Sequence, residues 1–317
     1  MERTAKDIPD MYAEMMNLLR YNGREEDSRN GPVISIEHPV LITVVNPKIR
    51  ANVDPIRNAN PFFHLMEFVW MMAGESSPDW ISQFNKRFVE YADANNITDK
   101  PHIHGAYGRR WRCHFNRDQI QMCVSMLKKD PTTRRAVIGM WNPMVDLNTI
   151  HNDLPCNTHI YLRIIDGELE FTVCNRSNDV IWGMTGANAV HMTLLQELMA
   201  NAIGVDVGVY RVFTVNAHVY TELPGVEEML DTRDPCYVDY SQWKHVPLLG
   251  EQETLAEFLA DCENYVKGKM TPASTRWMSE VAIPVHELWE HREIMNSTIM
   301  DSEWEQACIL WLQRKGQ

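Results

Sequence analysis

No stretch of this 317-residue chain approaches the roughly eighteen consecutive apolar residues that a membrane-spanning helix needs. The opening MERTAKDIPDMYAEMMNLL is amphipathic and acidic, without the apolar centre of a signal peptide. Seven cysteines are scattered with no CxxC pair. Neither a disulfide framework nor a structural zinc site is therefore expected, and the expected compartment is a reducing cytoplasm. GxGxxG and P-loop motifs are absent. HELWEH does not space His286 and His291 as HExxH does, and His102-x-His104 has no sequence companions, so no metal site is expected. Basic residues are the minority, 30 against 43 acids for a net charge of −13, which argues against a general grip on nucleic acid or anionic membrane. No repeat or low-complexity tract is visible. What remains, with 44% hydrophobic and 23% charged residues, is a globular chain able to bury a core.

Residues 1–20 read as a helix with Met11, Met15, Leu18 and Leu19 on one side, followed by a charged loop over 21–32. A strand over 33–46 is interrupted by Pro39, which suggests a bend or an edge. Asn60-Pro61 opens a helix that Gly74 can stop. Inside its apolar run stands Glu67, a carboxyl that needs a partner or a task. A helix over 117–129 leads to the strand RRAVIGMWN. CNTHIYLRII, Asp166-Gly167 and ELEFTVCN form a hairpin signal. A long helix over 188–203 ends at Gly204, and VGVYRVFTVNAHVY reads as one more strand. After about residue 250 the pattern is helical: LAEFLADCENYV, IPVHELWEHREIM, and a capping box at Ser302-x-x-Glu305 before Cys308 and Trp311. The expected architecture is one mixed domain over 1–250 with a helical extension over 251–317 packed on it.

Six of the cysteines sit in settings that suit small buried hydrophobes. Cys156 differs: it follows Pro155 and a polar loop and begins a strand, where a thiol can face a cavity and serve as a nucleophile once positive charge lowers its pKa. Arginine is concentrated in three phrases, at Arg29, at Arg134-Arg135, and at Arg176 beside Ser177. Such forks suit phosphate oxygens, although adjacent arginines at a turn are as readily plain solvated charges. His218-x-Tyr220 puts two hydrogen-bonding side chains on one strand face, fit either for a sugar hydroxyl or for a satisfied place in the core.

Taken in order, MEFVWMMAG, HGAYGRRWR, DPTTRRAVIGMWNP, LPCNTHIYLRIIDGELEF, NRSNDVIWG and NAHVY resemble the thymidylate synthase and deoxycytidylate hydroxymethylase family over roughly Arg29 to Tyr220. RSNDV and HVY look especially like its phage hydroxymethylase branch. The resemblance implies an α+β fold, a mixed sheet with packed helices. It also implies one-carbon transfer from 5,10-methylenetetrahydrofolate to carbon 5 of a pyrimidine deoxynucleoside monophosphate. By the same resemblance Cys156 is the nucleophile that adds to carbon 6, and Arg176 both holds phosphate and depresses the thiol pKa. Arg29 and Ser177 match phosphate ligands, and Arg134 and Arg135 match a pair reaching into the neighbouring site of a homodimer. Glu67 matches the glutamate that moves protons, Tyr107 a tyrosine near the nucleophile, Asp179 a folate-contacting aspartate, and His218 and Tyr220 the holders of the 3′-hydroxyl.

The departures bear on the product. Where synthases carry a tryptophan that shields the methylene intermediate, this chain has FVEYAD, with Phe88 and Tyr91, and a smaller ring can admit water. The residue after the nucleophile, usually His in synthases, is Asn157. The synthases end in an apolar tail that closes the site; this chain closes on WLQRKGQ, so that lid is expected to be missing or replaced. These differences favour hydroxymethylation over methylation. The position that reads the base is Ala187 in an ungapped alignment and Asn188 with one inserted residue; Asn188 keeps the following helix in register and favours dUMP, while Ala187 keeps dCMP open. Two alternatives stand beside this reading: a thymidylate synthase methylating dUMP, and a relative that only binds nucleotide.

Overall fold

The computed structural model describes residues 1–93, 101–151, 153–232, 238–269, 271–291 and 302–316. Cys236 and the last residues of the helix expected over 283–295 lie outside them. The chain runs β1 (Glu2–Ala5), α1 (Ile8–Asn22), β2 (Gly23–Ser28), β3 (Gly31–Ile36), β4 (Val40–Val44), α2 (Pro61–Met72), α3 (Tyr107–Arg109) and α4 (Gln119–Lys129). It continues through β5 (Val137–Gly139), α5 (Pro143–Asp146), β6 (Asn157–Ile165), β7 (Glu168–Asn175), β8 (Asn178–Asp179), α6 (Ala187–Ile203), β9 (Asp206–Thr214), β10 (Ala217–Tyr220) and α7 (Val226–Asp231). Three helices follow, α8 (Leu255–Val266), α9 (Ile283–His291) and α10 (Glu303–Lys315).

The strands form a six-stranded mixed sheet, β1-β4-β9-β7-β6-β5, and a four-stranded one, β2-β3-β10-β8. This is an α+β fold with two mixed sheets. The chain changes sheet five times, between β1 and β2, β3 and β4, β7 and β8, β8 and β9, and β9 and β10. The expected strand over 33–46 is therefore two strands broken at the links around Pro39, and the strand expected over 207–220 is two broken at Val215-Asn216. Two other local expectations are corrected. Residues 2–5 are a strand rather than helix, paired in parallel with β4, and the helix begins after Asp7, whose side chain accepts from the Asp10 N–H at 2.9 Å. Residues 23–28 are an edge strand rather than loop: GREEDS holds no apolar residue and is fully exposed, so only its ladder with β3 makes it a strand. A charged edge of this kind resists further pairing.

Local signals decided the central elements. Asn60 accepts from the Phe63 N–H at 3.2 Å, Pro61 opens the first turn of α2, and Gly74 takes φ +72 behind it. The β6–β7 turn has Asp166 at φ 51 and Gly167 at φ 84, the positive pair that a two-residue hairpin requires. Every residue of α2 is buried, with α3, α6, α8, α9 and α10 packed around it. Its Phe62 and Phe68 meet Trp289, Trp311, Phe258 and Trp277 of the helical segment after residue 250, at ring separations of 5.2 to 6.4 Å. Among the described residues, no helix is long and apolar enough to cross a membrane.

Candidate active site

The site lies where the two sheets part. Arg176 and Ser177 form the link between β7 and β8, and the Arg176 N–H donates to the Cys156 carbonyl at 3.0 Å, tying that link to the residue ahead of β6. The β6–β7 register slips between Asn157 and His159, a bulge of the sort that re-aims side chains at strand ends. Beside this strand end opens a cavity of about 280 Å³, with Cys156, Glu67, Tyr107, Asp153, Asp179 and Asn188 among its polar lining. Phe63, Glu67, Trp70 and Met71 face it at helical spacing from α2, opposite the side that meets the C-terminal aromatics. A second cavity of about 570 Å³, lined by Asn30, Gly31 and Tyr220, shares Asn85, Tyr91 and Trp182 with the first.

Arg176 grips the cysteine loop. Its Nε donates to the Pro155 carbonyl and its Nη2 to the Leu154 carbonyl, both at 3.1 Å, and Nη2 stands 3.8 Å from Cys156 Sγ. Burial pushes the Cys156 thiol above its ordinary pKa while Arg176 pulls it down. The expected lowering by Arg176 is present, but the net direction is upward because one partly solvated guanidinium does not outweigh removal from water. The Tyr107 hydroxyl accepts from the Asn157 N–H at 3.3 Å, and burial raises its pKa strongly.

Burial, with Asp153 adding, pushes Glu67 up to about 8, so its carboxyl carries a proton at neutral pH. Its Oε2 has no hydrogen-bond partner and lies 3.4 Å from Nε2 of His191, which donates to the His64 carbonyl. Burial holds His191 down at about 3, so that ring is neutral and cannot ion-pair. Asp179 accepts from the Trp182 N–H at 2.6 Å through Oδ1, while its buried Oδ2 is unpartnered; burial raises its pKa.

The structure brings Phe88 and Tyr91 to the cavity, 6.2 Å apart, Phe88 buried and Tyr91 exposed at the junction with the larger cavity. Ala187 and Asn188 both line it, and Asn188 donates to Asn178 Oδ1 at 3.4 Å. Ser177 is half-buried, with its hydroxyl 3.5 Å from Asn216 Oδ1. His218 is buried, its ring edge-on to Tyr220 at 5.2 Å and its Nδ1 unpartnered. Arg176, Ser177 and His218 line neither cavity, although Arg176 reaches Cys156 Sγ, and four further residues are not brought in. Asn157 turns into the sheet, donating to the Cys174 carbonyl at 3.0 Å, because in register with Asn175 its side chain points away from the cavity. Arg29 sits exposed on the β2–β3 turn, and Arg134 and Arg135 lie exposed between α4 and β5, lining neither cavity.

Sequence reasoning missed Asp153, whose one signal was an acid three residues ahead of Cys156. It also missed the companions of His104. That ring stacks on His151 at 3.7 Å, His104 donates to Asp146 at 2.7 Å, and His151 to Asp93 at 2.6 Å. Asp93, His104 and His151 offer ligand atoms within 4.8 Å of one another. Parallel stacked rings aim their in-plane nitrogens side by side, however, rather than at one point.

The sequence model of the thymidylate synthase family matches residues 10–246. A deoxyuridylate hydroxymethyltransferase of Pseudomonas phage M6 is 41% identical over 219 residues, 69% of this chain and 61% of the phage protein. One of Bacillus phage SP01 is 35% identical over 196 residues, 58% of this chain and 50% of its own. A putative thymidylate synthase of Methanothermobacter thermautotrophicus is 28% identical over 214 residues, 68% of this chain and 90% of its own. The chain thus spans less than two thirds of either phage protein. With three quarters of its length under one family model and an α+β fold to match, the chain belongs to the thymidylate synthase family.

Proposed function

We propose that this protein is a folate-dependent 5-hydroxymethyltransferase acting on a pyrimidine deoxynucleoside monophosphate, with dUMP preferred to dCMP. One observation carries the reading: the Cys156 thiol opens on a cavity beside Arg176 and shares it with the proton-bearing carboxyl of Glu67. A thiolate there adds to carbon 6 of the ring and makes carbon 5 nucleophilic. Arg176 and Ser177 hold the phosphate, His218 and Tyr220 the 3′-hydroxyl, and Asn188 the base edge. Glu67 delivers and removes protons at the ring, and Tyr107 orders the cysteine loop through the Asn157 N–H.

The remaining lining fits a reduced folate. Phe63, Trp70, Phe88, Tyr91 and Trp182 form an aromatic wall, and the orphaned Asp179 Oδ2 is an acceptor for the N–H edge of a pterin. When bound, the folate supplies one carbon at the oxidation level of formaldehyde. The similarity to phage deoxyuridylate hydroxymethyltransferases supports the hydroxymethyl product and the uracil base. The protein acts as a homodimer in this reading. The sheet face carrying Tyr161, Arg163, Thr172, Cys174, Arg211 and Phe213 is only partly covered, which suits a second copy contributing Arg134 and Arg135.

Incubation with methylenetetrahydrofolate and dUMP, dCMP or CMP, with products weighed by mass spectrometry, tests the proposal. The expected products are 5-hydroxymethyl-dUMP and tetrahydrofolate. Dihydrofolate with a methylated nucleotide would make the protein a thymidylate synthase, and no turnover would leave it a nucleotide binder.

A further inference from the structure

Among the carboxyls around the cavity, Asp153 has no task in the chemistry above, yet it stands in the same loop as Cys156. Its place depends on a missing side chain. A Cβ at residue 105 would come within 2.4 Å of Asp153 Oδ2 and 3.0 Å of the Pro155 nitrogen, and the Gly105 N–H donates to the carboxylate. Its charge acts on Cys156, Tyr107, Glu67 and Tyr91, groups from four segments that wall one space. A carboxylate so placed borders the ground where a reacting carbon would lie once the pyrimidine is bonded to the thiol.

We propose that Asp153 is the general base for the water that completes hydroxymethylation, an inference that rests on the hydroxymethyl reading. With carbon 6 bonded to Cys156 Sγ and the transferred carbon held at carbon 5 as an exocyclic methylene, the water oxygen bonds to the methylene carbon. The double-bond electrons move onto the carbon 4 carbonyl as an enolate, and the water proton passes to Asp153. The enolate then restores the carbon 5–carbon 6 double bond, expelling the Cys156 thiolate, and the proton leaves Asp153 for solvent. Nothing is oxidised or reduced. Burial raises Asp153 only to about 6 against about 8 for Glu67, since the Gly105 N–H, Arg110 and Arg176 favour its anion while Asp93 opposes it. Near neutrality one carboxyl is then a base and the other an acid, the division that assigns such roles.

The test needs no folate. In oxygen-18 water, 5-hydroxymethyl-dUMP alone should exchange its hydroxymethyl oxygen by the reverse path, Cys156 adding and hydroxide leaving with the Asp153 proton. Release of tritium from carbon 5 of labelled dUMP reports thiol addition without the water step. Asp153→Asn should slow oxygen exchange by about 10²-fold or more while tritium release stays within about threefold of wild type. Cys156→Ala should abolish both. Oxygen exchange at the wild-type rate in Asp153→Asn overturns the proposal. Equal loss of both signals also overturns it, making Asp153 a positioning residue for the thiol. A wild-type protein that releases no tritium refutes instead the reading beneath it, and this proposal falls with it.

Discussion

Glu197, deep in α6, binds the site helix to two distant parts of the chain, and the strength of that tie can be measured. Its Oε2 pairs with Arg50 Nη2 at 2.5 Å and its Oε1 accepts from His245 Nε2 at 2.7 Å, while His245 Nδ1 donates to Glu303 of α10 at 2.9 Å. Burial disfavours the imidazolium, but the two carboxylates win and raise His245 to about 9. A folded-state pKa above the ordinary 6.5 means stability that is complete below about pH 6.5 and lost as the pH rises through about 9. That separation is worth on the order of 3 kcal/mol, shared with the carboxylates that cause it. Urea denaturation of wild type and His245→Gln across this window checks it. The wild type should lose its advantage over the variant progressively from pH 6.5 upward, until the two converge near pH 9. Parallel stability curves over the whole range would show that the imidazole is not held charged, and the reasoning would fail. Glu197 itself is held down at about 2, with burial opposing and Arg50 prevailing, so its own share persists until strong acid.

Gly108→Ala would put a Cβ 1.9 Å from the Met71 carbonyl oxygen at the end of α2, a clash between two backbones that no rotamer relieves. Thermal or urea unfolding should show a loss of at least about 3 kcal/mol or no folded protein. Asn188→Asp should shift the ratio of kcat/KM values from dUMP towards dCMP by about 10-fold or more, whereas Ala187→Asp should not; the opposite pattern would move base reading to residue 187. On the proposed dimer, inactive Arg134→Ala/Arg135→Ala protein mixed with inactive Cys156→Ala protein should recover up to about a quarter of wild-type activity, because half of the random dimers hold one intact site. No recovery after subunit exchange would place all the cations within one chain.

The parts of the fold legible in the sequence are those decided over a few residues. Asn60-Pro61 starts α2, Asp166-Gly167 turns the hairpin, and Gly204 stops α6 at φ 90, each through local backbone chemistry. The changes of sheet were not legible, because whether β3 runs into β4 or leaves for another sheet depends on partners elsewhere in the chain. GREEDS could not announce itself as a strand with no apolar residue to alternate. The site divides in the same way. Cys156 and Glu67 stood out as chemically odd in their surroundings, a thiol after a polar loop and an acid in an apolar helix. Asp153 meets its Gly105 partner, and His104 and His151 their carboxylates, across separations that spacing does not reveal. Asn157 was misplaced for a related reason: adjacency to a nucleophile in sequence says nothing of which side of a pleated strand a residue takes.

The charge around the cavity also bears on assembly. Asp153, Asp179 and Glu67 line it, whereas Arg176 is the cation placed beside the thiol. A nucleoside monophosphate brings a phosphate of nearly two negative charges into that acidic surrounding, and two unit charges about 4 Å apart repel by about 4 kcal/mol near a protein surface. Protonation of Glu67 removes one opponent, and the Asp153 anion remains. Arg176, already occupied by the Pro155 and Leu154 carbonyls, is by itself a thin counterweight. Arg134 and Arg135 stand exposed away from both cavities of their own chain. In the proposed homodimer a second copy carries Arg134 and Arg135 across to that phosphate, which is the neutralisation this chain's own cavity is short of.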